Sequence, residues 1–106
     1  MVNVMEIIKE ITKQIDAELD DAAKYARLAN HWKMEQPETA KTFIELANAE
    51  LDHQSKLHDH VARLIGKYRA ERGEPPREML AVYNYLHDRA MDKAADVMIL
   101  IKLFNN

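Results

Sequence analysis

Apolar residues in the first third of the chain fall at Val4, Ile8, Ile11, Ile15, Ala22, Tyr25, Ala29 and Trp32, stepping by three and four with only position 18 missing. This period is one face of an α-helix held for about eight turns. It ends at Met34-Glu35-Gln36-Pro37, where a proline closes one helix and suits the first turn of the next. A second seam follows through Phe43, Ala47, position 50, position 53 or 54, Leu57, Val61, Leu64 and Tyr68. Arg63, Lys67, Arg69 and Arg72 suit its negative end, and Gly73-Glu74-Pro75-Pro76 reads as a stop and a restart. A third seam runs through Met79, Tyr83, Leu86, Ala90, Ala94, Val97, Ile101 and Phe104. The pattern predicts helices over 3–33, 38–70 and 77–104, an all-α single domain spanning 1–106 in which short connectors make neighbouring helices antiparallel.

Helices of about 30 residues are about 45 Å long, whereas a compact domain of this size has a radius of gyration near 13 Å. Three such rods leave an apolar groove that a fourth helix closes in an ordinary bundle. A homodimer or higher homo-oligomer is the natural way to bury it. The alternative is a stand-alone three-helix bundle with frayed ends.

The missing positions are Glu18 on the first seam and Glu50 with His53 on the second. Carboxylates are rarely buried unless paired or metal-bound. In an antiparallel hairpin, residues equidistant from the turn lie level. The midpoints of 18 with 50 and of 18 with 53 both fall in the Met34–Pro37 connector, so the three residues should meet about 25 Å from the turn. A Glu from one helix and Glu-x-x-His from its neighbour form half of a carboxylate-bridged two-metal site. Oxygen and imidazole donors suit iron or manganese, with zinc also possible. Glu-x-x-His alone is a weak signal, and its weight comes from the shared height and the seam positions. The competing readings are a metal-free cluster in which protonated His53 bridges two glutamates in a helical oligomer or partner-binding protein, and a structural zinc or calcium site.

Tyr25, two turns after Glu18, could hydrogen-bond a ligand carboxylate or serve as a core tyrosine. His60, two turns after His53, is a candidate for a secondary metal site or an iron path. His31, His58 and His87 read as exposed, Met91 and Met98 as packing residues, and Asp16, Asp20 and Asp21 as a solvated acidic cluster able to draw cations toward Glu18.

Composition narrows the chemistry. The 106 residues contain no cysteine, which removes disulfides, zinc ribbons, iron–sulfur clusters and thiol nucleophiles. Two glycines and three prolines argue against a turn-rich β fold, and a net charge of −3 gives no electrostatic footprint for nucleic acid. The longest apolar run near either end, 97–101, is too short to cross a bilayer, and the N-terminus has no basic segment leading into an apolar one. A cytoplasmic location is expected.

Glu18 with Tyr25, followed by Thr42-Phe43-Ile44-Glu45-Leu46-Ala47-Asn48-Ala49-Glu50-Leu51-Asp52-His53, resembles the first helix pair of rubrerythrin and other ferritin-like di-iron proteins over roughly residues 10–65. The resemblance implies a ferritin-like four-helix bundle and an iron-binding role for Glu18, Glu50 and His53. In that family the remaining ligands come from a second helix pair, but the third helix here has no seam glutamate and no second Glu-x-x-His. The shortage is similar to that of encapsulated ferritins, where two subunits complete one bundle and bind iron between them. By that likeness a dimer would hold two iron ions and oxidise Fe(II) with O₂ or peroxide, inside an encapsulating shell or with an external reductase as partner. The chain ends without the Gly/Ser-rich tail and cargo peptide that direct such proteins into a shell.

Overall fold

Local signals at Asn3, Pro37 and Gly73 set three of the helix ends. A computed structural model describes residues 3–106, in which α1 spans Val4–Trp32, α2 Pro37–Arg72 and α3 Arg77–Asn105. The Asn3 side chain caps α1 by accepting a hydrogen bond from the Met5 N–H at 3.0 Å, with Glu6 in the first turn. Pro37 occupies the first turn of α2, where its missing N–H costs nothing. Gly73, at φ 82°, closes α2 by donating its N–H to the Arg69 carbonyl at 3.0 Å. Left-handed backbone is where glycine carries no steric penalty. Arg69 also meets Glu74 across this turn at 3.4 Å.

The molecule is a rod of 56 × 22 × 16 Å with a radius of gyration of 16.7 Å, well beyond the compact value near 13 Å. α1 and α2 form an antiparallel hairpin. Ala22, Ala26, Ala29, Ala40 and Ala47 are fully buried in the half toward the turn. In the other half Ile8, Ile15, Leu19 and Val61 pack with Ala90 and Ala94 of α3. Apolar burial of this kind is the main force holding the helices together.

α3 runs parallel to α1 and lies along one side of the hairpin. Lys93 reaches Asp16 at 2.7 Å and Asp20 at 2.9 Å, Asn30 donates to the Leu100 carbonyl at 3.0 Å, and Lys33 donates to the Phe104 carbonyl. With α2 it meets only near their shared turn, as far as a contact between His58 and His87.

The deepest positions differ from the expected seams by about one residue. On α1, Leu19 and Ala26 are fully buried while Glu18 and Tyr25 sit half-buried on the margin; on α2, Ala40, Ile44 and Gln54 take the deep positions and His53 is exposed. α1 packs against α2 and α3 at once, so its buried arc is wider than a single stripe and its centre moves. Met91 and Met98 are exposed rather than packed, because α3 buries a narrow stripe of Ala90, Ala94 and Val97.

Candidate metal centre

Glu18 lies midway along α1, and Glu50 and His53 lie one helical turn apart on α2. The hairpin brings one ligand atom from each to within 4.8 Å of the others. His53 Nδ1 is 3.6 Å from Glu18 Oε2 and 3.9 Å from Glu50 Oε1. Among the described residues this is the one such group of three. The carboxylates are sheltered, with side chains 16% and 18% exposed, whereas the imidazole is 53% exposed and forms the outer lip.

The centre faces away from α3. Glu18 is two residues from both Asp16 and Asp20, the groups that hold α3, and two residues turn a helix by about 200°. On that opposite side α1 presents Ile7, Tyr25, Leu28 and Trp32, and α2 presents Phe43, Leu57 and Leu64, all half-buried, with Leu46 exposed. The three ionisable groups therefore sit in the middle of an apolar strip that none of the described helices covers.

The donors are incompletely satisfied. Gln14, one turn before Glu18, donates its Nε2–H to Glu18 Oε1 at 3.0 Å and fixes that carboxylate. Glu50 Oε2 is buried without a hydrogen-bond partner, and so is Gln54 Oε1 one turn further along α2. A buried oxygen left unpaired costs roughly 1–3 kcal/mol, and more when charged. Two anionic carboxylates and one imidazole, one oxygen of them orphaned, suit a hard or borderline divalent cation. The residues fit iron. They fit a closed polar cluster poorly, since the one cation available, a protonated His53, lies at marginal distance from both carboxylates and leaves Glu50 Oε2 unmatched.

Tyr25 stacks on Phe43, their ring centroids 6.1 Å apart, on the side of the centre toward the hairpin turn. His60 is exposed on α2 with its Nδ1 3.5 Å from Arg63, and it does not join the three residues. His31 is exposed as expected and meets Trp32 edge-on. Two expectations are corrected. His58 and His87 are half-buried and hydrogen-bonded to each other at 2.8 Å, because α3 closes over α2 at that height. Asp16 and Asp20 are an α1–α3 clamp more than a solvated face. Burial disfavours the charge on Lys93, but the hydrogen bonds and charges of Asp16 and Asp20 outweigh it and raise its pKa above the usual lysine value. Gln14 and Gln54 were missed as parts of the centre; Gln14 was legible as a donor one turn from Glu18 on the same face.

No helix among the described residues is long and apolar enough to cross a membrane. Neither a search of curated proteins nor one of solved structures gave a significant match. The rubrerythrin family model, in contrast, matches residues 9–99 and so takes in all of α2, most of α1 and α3, and the whole Glu18, Glu50 and His53 group. This chain belongs to the rubrerythrin family.

Proposed function

We propose that the protein is a non-haem di-iron ferroxidase of ferritin-like type, working as a homodimer or larger assembly in the cytoplasm, with its metal centre between subunits. The observation that carries this reading is the orphaned Glu50 Oε2 within a Glu/Glu/His group that lies on the uncovered apolar side of the hairpin. One chain supplies three donor residues, and two chains set face to face supply four carboxylates and two imidazoles, the ligand set of a complete four-helix di-metal bundle.

In that arrangement Glu18, Glu50 and His53 hold the metal, Gln14 orients the Glu18 carboxylate, and Gln54 offers a buried polar group beside Glu50. Bound iron supplies one-electron exchange with O₂ or peroxide. The surrounding Leu57, Phe43 and partner chain exclude water, which strengthens the attraction between carboxylates and metal. The same apolar strip accounts for assembly, since burying it removes the exposed Leu46 and the half-buried aromatic side chains from water.

Aerobic oxidation of added Fe(II), followed by ultraviolet absorbance, tests the reading in the native chain and in Glu50→Ala. Oxidation faster than in buffer and abolished by the substitution supports it. Equal rates in the two proteins contradict it.

A further inference from the structure

α2 and α3 touch over only part of their length, and the contact at its inner limit is a pair of imidazoles. His58 Nε2 and His87 Nδ1 lie 2.8 Å apart with ring centroids separated by 4.7 Å and planes inclined at 38°. Both residues are half-buried, between Thr12, Ile15 and Val61 on one side and Tyr83, Leu86 and Ala90 on the other. Tyr83 stacks on His87 at 5.9 Å and fixes its plane. Burial raises the Tyr83 pKa, with Arg69 partly offsetting it, so the stacked phenol is neutral at physiological pH.

We infer that His58 and His87 form a second metal site, a two-histidine chelate for a borderline divalent ion such as zinc, nickel or copper. Two nitrogens bound to one zinc at about 2.0–2.1 Å with a tetrahedral angle lie roughly 3.3 Å apart, so the observed pair needs to open by about half an ångström. In the metal-free pair one proton lies between the rings. On binding it passes through water to the other nitrogen of its own ring, both facing lone pairs go to the metal, and the net charge of the protein does not change. Imidazoles without a neighbouring carboxylate favour borderline ions over hard ones, which separates this site chemically from the glutamate-rich centre. Among the described residues no third acidic or histidine ligand gathers with them, so water completes the coordination. The pair comes from two different helices, so the bound metal cross-links α3 to α2 at the point where the two diverge.

Zinc titration by calorimetry tests the site in the full chain carrying Glu50→Ala, which disables the other centre. This protein takes up about one zinc per chain, and adding His87→Gln weakens that binding at least tenfold. Circular dichroism establishes that both variants are folded, and Cu²⁺ bound to Glu50→Ala shows coupling to two nitrogens by electron paramagnetic resonance. Zinc affinity unchanged by His87→Gln, or copper coupled to one nitrogen or none, overturns the inference. Neither result bears on iron oxidation at Glu18, Glu50 and His53.

Discussion

The two sides of the α1–α2 hairpin are built from similar material and end in different states. On the side under α3, polar groups find partners within the chain: Asp16 and Asp20 hold Lys93, Arg89 reaches Asp16 at 3.8 Å, and Asn30 finds the Leu100 carbonyl. On the open side, apolar residues are left half-covered and a buried carboxylate oxygen has no partner. Both sides are amphipathic, but only one is complete. None of the described residues finishes the other; in the proposed assembly a cation and a second copy of the hairpin answer both needs at once.

The largest expected effect strikes the wall between the two sides. Leu19 is fully buried on α1 against Val61 and Ala90, and Leu19→Ala should destabilise the chain by about 3 kcal/mol in chemical denaturation, loosening both faces together. Next in size is Glu50→Ala. It should weaken iron binding at least a hundredfold, about 2.7 kcal/mol, while leaving the metal-free protein as stable as before or slightly more so, because an unpaired buried oxygen is removed. A clear loss of stability in the metal-free variant would mean that the cluster is a structural ion pair. Leu46→Asp acts on the open side, where Leu46 is exposed and outside the core cluster. It should weaken self-association tenfold or more by sedimentation equilibrium, with helix content unchanged.

The smallest effect belongs to the finished side. Lys93→Ala should cost about 1 kcal/mol without altering iron binding. The raised pKa of Lys93 means that its stabilisation is present at neutral pH and is lost as pH rises past the usual lysine value of 10.5 and through the higher folded one. Melting the native and Lys93→Ala proteins from pH 7 to 11.5 should show their difference shrinking at the alkaline end.

How much of this was legible in the sequence follows from the same asymmetry. The helices were readable because a period of three and four persists through each of them and proline or glycine punctuates both turns. The meeting of Glu18 with Glu50 and His53 was readable because symmetry about a short turn fixes relative height. What the pattern did not carry was depth around each helix. An apolar stripe does not say how many neighbours share it, so Glu18 was placed on the seam where Leu19 proves to be, and the choice left open between positions 53 and 54 falls to Gln54. The Asp16–Lys93 contact joins α1 to α3, far apart in sequence, at a register no short turn determines. The His58–His87 contact lies level about the turn between α2 and α3 and was within reach of the same symmetry, but polar residues there read equally well as solvated.

The central claim is that one chain holds half of a metal centre. Native mass spectrometry of iron-loaded protein measures chain number and metal number in the same species. The account predicts a dimer, or a multiple of it, with two iron ions per pair of chains, and Glu50→Ala without them. Monomers that retain iron, or dimers carrying as much iron in Glu50→Ala as in the native protein, would contradict it.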